Sequence, residues 1–234
     1  MLRLTIEDLL PRFPDFRVAV VVAEGLMIGE RGEALDQQIA EAEARARARW
    51  AGVELSAIPG VAAWRAAYKG FGIKRTSYRS SVERLIKRVL AGQAMPEINA
   101  LVDLYNMISL EEGLCLGCDD LDLVSGDLAF RYSRPSDSFV DMGAGEGEDP
   151  NDPPKPGEVV DADEAHVLCR RWNWRQDART AVSPTTRRVV LTAQSNGFGD
   201  VEAAGDRLCA AIPRVCGGKA NLRVAERGRA TVEW

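Results

Sequence analysis

Two kinds of segment alternate along this chain, and that alternation constrains its fold more than any other feature. Residues 16–23 form a short β-branched run closed by Glu24-Gly25 and read as a buried strand. Residues 31–50 are rich in Ala, Glu, Gln and Arg and carry few large apolar groups, as a surface helix packed along a narrow stripe does. Ile58-Pro-Gly breaks the pattern, and residues 61–68 are expected to add a helical turn or two. Residues 78–90 read as a helix that starts at Ser80 or Ser81 and stops before Gly92, with Val82, Leu85, Ile86 and Val89 at helical spacing. Pro96 opens the next helix, expected over residues 97–110, with Ile98, Leu101, Val102, Tyr105 and Ile108 as its apolar stripe. Beyond Gly113, strands are expected at residues 127–133, 167–174 and 189–194, a helix at 200–212, and a small hairpin around Gly228. Residues 141–164 are acidic, rich in Gly and Pro, and read as a loop or a linker crossing a sheet edge. Helices interleaved with strands make an α/β layered architecture.

The 234 residues are enough to bury a sizeable core. A formal charge of −5 gives no global sign of nucleic-acid binding, so any such binding must rest on a local patch. The acidic start and the lack of a long apolar run argue against a signal peptide or a membrane span and for the cytoplasm. Five cysteines, an odd count without small-scaffold spacing, also suit a reducing compartment.

Three groups of residues could carry chemistry. Asn99, Asp103 and Asn106 recur at i, i+4 and i+7, on one helical face opposite the apolar stripe. A solvated face is one reading of that spacing; against it stands the choice of Asn and Asp, poor helix formers where a solvated face usually favours Glu, Lys and Gln, and three such groups in line can hold a water or an amine. Cys169-Arg-Arg-Trp-Asn-Trp-Arg175, read as a strand, puts Arg170, Trp172 and Trp174 on one face and Arg171, Asn173 and Arg175 on the other. Arginines beside aromatics suit a ligand with phosphates and flat rings, although buried tryptophans and arginines paired with the acidic loop fit as well. Lys74, Arg75, Arg79, Arg84, Lys87 and Arg88 crowd into fifteen residues against Glu83 alone, as either a phosphate-contacting patch or a solvated helix face. Cys115, Cys118, His166 and Cys169 could make a zinc site, but their spacing is irregular. No nucleophile elbow or Walker loop is present.

Several strings together resemble the B3/B4 domain family, named for the editing module of the phenylalanyl-tRNA synthetase beta subunit. They are Tyr78-Arg-Ser-Ser-Val-Glu, then Pro96-Glu-Ile-Asn-Ala-Leu-Val-Asp-Leu-Tyr-Asn-Met-Ile-Ser-Leu, Gly117-Cys-Asp-Asp-Leu-Asp, Pro156-Gly-Glu-Val-Val-Asp-Ala-Asp and Cys169-Arg-Arg-Trp-Asn-Trp-Arg. They cover about residues 70–195, within what is expected to be a single domain over 1–234, and free-standing members are the nearest likeness. The resemblance implies a three-layer α/β fold with an unusual β-sandwich flanked by helices. It also implies a trans-acting deacylase of mischarged aminoacyl-tRNA, with the aminoacylated 3′ end of tRNA as partner and no cofactor or metal. Hydrolysis of an activated ester needs mainly a positioned water and oxyanion stabilisation. In that scheme Asn99, Asp103 and Asn106 hold water and the substrate ammonium, and Asp120 or Glu158 binds the ammonium or orients water. Arg170, Arg171, Asn173 and the basic run Lys74, Arg75, Arg79, Arg84 and Lys87 then meet the RNA. The alternative is a module that binds RNA or an amino acid without turnover.

Overall fold

The computed structural model describes residues 2–73 and 78–234. Among the described residues five α-helices, α1 (Glu33–Arg49), α2 (Pro59–Gly70), α3 (Ser81–Leu90), α4 (Ala100–Glu112) and α5 (Val201–Val215), interleave with ten strands. These are β1 (Arg3–Thr5), β2 (Phe16–Glu24), β3 (Cys115–Asp120), β4 (Leu128–Tyr132), β5 (Val159–Ala162), β6 (Val167–Arg170), β7 (Arg175–Gln176), β8 (Arg188–Asn196), β9 (Lys219–Ala225) and β10 (Thr231–Glu233). They make two sheets, a four-stranded one ordered β3-β8-β2-β9 and a six-stranded one ordered β10-β1-β4-β5-β6-β7. Among the described residues no helix is long and apolar enough to cross a membrane.

Register decides which residues face which layer. In the four-stranded sheet Cys115 pairs with Gln194 and Gly117 with Thr192, and Gln194 and Thr192 pair in turn with Val18 and Val20. Cross-strand partners share a face and successive residues alternate, so Phe16, Val18, Val20, Thr192, Gln194, Cys115, Gly117 and Asp119 lie on one side. Phe16 on that side meets Phe130 of the six-stranded sheet, ring centres 5.3 Å apart, so this is the inner face of a β-sandwich. The opposite face carries Ala19, Val21 and Leu191 and is covered by α5, whose Gly205 stands against Ala19 and Leu222. In the six-stranded sheet Phe130, Asp161, Cys169 and Gln176 share the inner face. Val160, Ala162 and Val167 point outward and form a second small cluster with Phe139.

Helix α4 departs from the sequence reading. It begins at Ala100 rather than near Glu97, because the Asn99 side chain accepts from the Val102 N–H and caps the end. Ile98 is therefore outside the helix and 59% exposed instead of part of a stripe. Ten of its 13 residues are buried, between α1, α5 and β3, so it is a core helix without a solvated side. Gly113 ends it in the left-handed conformation, φ 70°, donating to Ser109 O. The carbonyl of Gly113 abuts Gly60 of α2, where a Cβ would sit 2.1 Å from that oxygen.

Three further expectations are corrected. Residues 167–174 are not one strand: β6 ends at Arg170, and Arg171 (φ 48°) and Trp172 (φ 69°) turn the chain before β7. The alternation of arginine and tryptophan faces does not exist there. The acidic segment 141–164 contains β5, which is fully buried between β4 and β6. The tail makes a hairpin bridge only at Glu226 and Arg229; β9 and β10 then part into different sheets.

The left-handed pair is explained by what it buries. A non-glycine residue in that region costs roughly 1–2 kcal/mol, so the pair costs about 2–4 kcal/mol. In return Trp172 is fully buried, with ring centres 4.8 Å from Phe13, 4.8 Å from Phe16 and 5.2 Å from Trp64. Burying an indole of about 200 Å² contributes about 5 kcal/mol before the edge-to-face contacts are added; its Nε1–H has no partner among the described residues, which takes back about 1–3 kcal/mol, so the net gain is of the same size as the cost of the turn.

Candidate functional site

The inner faces of the two sheets are apolar at one end, around Phe16, Phe130 and Trp172, and polar at the other. The polar end holds Asp119, Thr192 and Gln194 on the four-stranded sheet and Asp161, Cys169 and Gln176 on the six-stranded sheet. Most are buried, yet Gly117, Cys169 and Gln176 are only half-buried although each lies within a strand. β3 and β7 are edge strands of their sheets, so the open edge beside β3 is where a ligand would enter a cleft between the sheets; the outer side of β3 is met at one end by Gln176 (Nε2 to Cys118 O, 2.5 Å) and Thr180 (O from Asp120 N, 2.9 Å). Gly117 has neither a positive φ nor a close neighbour that would demand glycine: an added Cβ would meet only Thr192 Oγ1, at 3.7 Å. Its missing side chain leaves room in the cleft.

A chain of hydrogen bonds floors that cleft. Tyr68 Oη donates to Asn173 Oδ1 (2.9 Å), Asn173 Nδ2 to Gln194 Oε1 (3.2 Å), and Gln194 Nε2 to Thr192 Oγ1 (3.0 Å). Thr192 thus receives a bond and, among the described residues, gives its own hydroxyl hydrogen to no partner, which leaves it for a ligand. Opposite it, Asp161 is buried with Oδ1 unpartnered among the described residues, and burial together with Asp119 and Asp163 pushes its pKa well above the ordinary value. Asp119 accepts from Thr180 Oγ1 (2.7 Å) and Gln176 Nε2 (3.0 Å); burial pushes its carboxyl up to about 7. An arriving cation would let both carboxyls ionise. The thiols are poor nucleophiles, since burial pushes Cys115 up to about 11 and raises Cys169 well above its usual value. Cys115 and Cys118 face opposite sides of β3, so they cannot converge on one metal with Cys169.

The residues singled out from sequence fall in three places. Asn99 and Asp103 hold the start of α4: Asp103 is fully buried, accepts from Ile98 N at 3.1 and 3.3 Å, and lies 3.6 Å from Arg31. Burial raises the Asp103 pKa against the Ile98 bond and Arg31. Asn106 is half-buried on the same helix. Asp120 faces the α5 side of β3, and its carboxylate is taken by Thr186 Oγ1 (2.5 Å) and Asp122 N (3.0 Å). Among the described residues no hydrogen bond or ion pair joins these four to Glu158 or to the arginines beside it.

Glu158, Arg170, Arg171 and Asn173 do come together, with the turn at 171–174. Glu158 forks onto Arg170 at 2.9 and 3.0 Å and reaches Arg171 Nη2 at 3.2 Å. Arg170 also donates to Asp152 O (2.6 Å) and pairs with the Asp152 carboxylate, and Arg175 pairs with Asp141, so the acidic segment is strapped down by this string. The turn packs on the start of α3, where Ser81 N donates to Asn173 O (3.0 Å) and Arg84 Nη1 to Trp174 O (3.0 Å). Of the basic run, Arg79 is paired with Glu83 at 3.1 Å, Arg84 and Lys87 are exposed, and Lys74 and Arg75 lie outside the described residues.

The family model of the B3/4 domain matches residues 63–216, well over half of the chain. This chain belongs to the B3/4 domain family. Its fold is similar to an N-terminal fragment of the phenylalanyl-tRNA synthetase beta subunit from Pyrococcus horikoshii, with a TM-score of 0.50 and 14% identity. That match covers 93% of this chain and 50% of the fragment, so the chain spans about half its length. No curated protein matches the sequence. The B3/4 match takes in α3, α4, β3 to β8 and α5, and with them the inter-sheet cleft. Asp119, Asp161, Thr192 and Gln194 were missed in the sequence reading. Thr192 and Gln194 carry a signal in retrospect: polar residues at i and i+2 just after the apolar run Val189-Val190-Leu191 put a polar patch on one face.

Proposed function

We propose that this B3/4 domain protein is a tRNA-directed module that hydrolyses the ester of mischarged aminoacyl-tRNA in trans, with the aminoacyl group held in the inter-sheet cleft. The observation that carries this reading is the space beside Gly117, next to the Thr192 hydroxyl, with Asp161 Oδ1, unpartnered among the described residues, on the inner face of the other sheet. An aminoacyl ester presents an ammonium and a carbonyl close together, and this pair of groups complements it. Asp161, supported by Asp119, binds the ammonium. Thr192, oriented through Gln194 and Asn173, donates to the oxygen that gains charge as water attacks the carbonyl carbon. The bond to the ribose oxygen then breaks, that oxygen takes a proton, and free amino acid and uncharged tRNA leave. No covalent enzyme intermediate is needed, which suits the raised thiols. Arg84 and Lys87 on α3 would contact RNA phosphates, a role shared with Lys74, Arg75 and Arg79 in the sequence expectation.

The test is deacylation of a panel of mischarged tRNAs. Wild-type protein should release the amino acid from at least one, and Gly117→Val, which fills the cleft, and Thr192→Val, which removes the donor, should each lower kcat/KM by ~10²-fold or more with tRNA affinity retained. No turnover on any charged tRNA, or full activity of Gly117→Val, would refute the reading; binding without turnover would leave a recognition module.

A further inference from the structure

Among the described residues Arg171 is a buried cation with few partners. It is 4% exposed, yet Nε and Nη1 have no hydrogen-bond partner among the described residues, and its one ionic contact is Nη2 to Glu158 at 3.2 Å. Glu158 is already spent on the two-point fork with Arg170. Two bare N–H groups on a buried cation cost several kcal/mol unless something else receives them. The guanidinium is roofed by two rings, with its carbon 3.9 Å from the centre of Tyr78 and 4.3 Å from the centre of Trp174. Both rings are half-buried, so the roof is also the boundary with solvent. The two rings stand at 88° to each other, so the guanidinium lies flat on one of them only, and an anion reaches the covered Nε and Nη1 hydrogens as the rings move aside.

We propose that Arg171, under the Tyr78 and Trp174 rings, is the receptor for a single phosphodiester of the RNA, the one immediately before the aminoacylated nucleoside. This rests on the reading of the inter-sheet cleft as the aminoacyl site. The two places are joined by the turn itself: two residues past Arg171, Asn173 holds the Gln194 and Thr192 amide-hydroxyl relay of the cleft floor. Arg84, exposed and bonded to Trp174 O, adds positive potential on the approach. The backbone strain at Arg171 fits the same purpose, since φ 48° at this residue is what aims the side chain at the rings instead of along the strand.

The full-length protein is titrated with the dinucleotide cytidylyl-adenosine, which carries one phosphodiester, with adenosine, which carries none, and with inorganic phosphate. The readouts are affinity and the NMR signal of the Arg171 Nε–H. Cytidylyl-adenosine should shift that signal and bind at least about 10-fold more tightly than adenosine, as a charge-assisted contact does. Arg171→Lys should bring the dinucleotide down to the affinity of adenosine and leave adenosine itself unchanged. Equal affinities, or an unmoved Arg171 signal, overturn the proposal, and a response to inorganic phosphate without one to the dinucleotide overturns the assignment to RNA. If Arg171→Lys does not fold, the wild-type NMR titration decides alone. Dinucleotide binding through Arg171 with no deacylation of any charged tRNA would sink the hydrolytic reading and keep this site; deacylation with a silent Arg171 would do the reverse.

Discussion

Asp119→Asn is expected to stabilise the protein at pH 8 and to flatten its pH dependence below neutrality. Burial lifts this carboxyl from 3.8 to about 7, with Asp177 and Asp163 adding to the rise and the Thr180 and Gln176 hydrogen bonds opposing it. In the unfolded chain the group ionises near ~4. Between those values the folded state holds a proton that the unfolded state has lost, so stability falls as pH rises through the window from about 4 to about 7. Below it both states are protonated and the penalty is absent; above it the penalty is complete. A gap of about 3 pH units corresponds to ~4 kcal/mol as a ceiling, reduced by any adjustment of the neighbouring Asp161. Asparagine keeps an oxygen for Thr180 Oγ1 and Gln176 Nε2, the two donors now at 2.7 and 3.0 Å, so the charge is lost without the bonds. Thermal unfolding of both proteins from pH 4 to pH 8 measures the effect. The variant should gain at least about 1 kcal/mol at pH 8, or ~2–4 °C in Tm for a chain of this size, and nothing at pH 4. A difference independent of pH, or a loss at pH 8, would refute the burial argument.

Other substitutions separate structural from functional roles. Glu158→Gln leaves Arg170 and Arg171 buried without a full counter-charge and should cost ~3–5 kcal/mol, a Tm loss of at least about 6 °C at ~2–4 °C per kcal/mol, so lost activity in this variant would report unfolding. Asp103→Ala removes the acceptor for Ile98 N and the partner of Arg31 and should lower stability by ~1–3 kcal/mol, while kcat measured well below Tm stays within about 2-fold, since surface and structural changes away from the cleft leave the reacting groups in place. A deep loss of kcat with unchanged Tm would return Asp103 to the catalytic set. Gly60→Ala places a methyl 2.1 Å from Gly113 O, and because that oxygen is backbone the contact should cost ~1–3 kcal/mol or more in a denaturant titration.

What was legible from sequence was what hydrophobic period encodes. The runs that became β2, α3 and α5 show their period plainly, and their ends follow from Ser80 and Asp200, which cap the two helices. The family strings also led to the right fold. What was hidden has physical causes. β3 reads Cys-Leu-Gly-Cys-Asp-Asp, with no β-branched residue, because one face lies under the helices and the other lines a polar cleft. β5 offers only Val159-Val160 inside an acidic stretch, its Asp161 serving the cleft. Of the Asn99, Asp103 and Asn106 pattern only Asp103 and Asn106 lie in the helix; Asn99 is its extended cap, and Asn99 and Asp103 spend their side chains on the helix start, a use that spacing alone cannot tell from ligand binding.

The turn at 171–174 shows why a site of this kind resists a sequence reading. Nothing in Arg-Arg-Trp-Asn-Trp-Arg announces a turn: it has no glycine or proline, and Arg171 and Trp172 enter the left-handed region at a cost that a local rule would forbid. The cost is met at a distance, by Phe13, Phe16 and Trp64 closing on Trp172. Once Trp172 is fixed in the core, its neighbours have little freedom. Arg171 is thrown against Tyr78 and Trp174, and Asn173 is thrown against Tyr68 and Gln194. One buried indole therefore sets both the cationic edge and the polar floor of the candidate site. It follows that shrinking the core under Trp172 should loosen both together, so the two halves of the site are mechanically one unit even though one presents a guanidinium and the other amides and a hydroxyl.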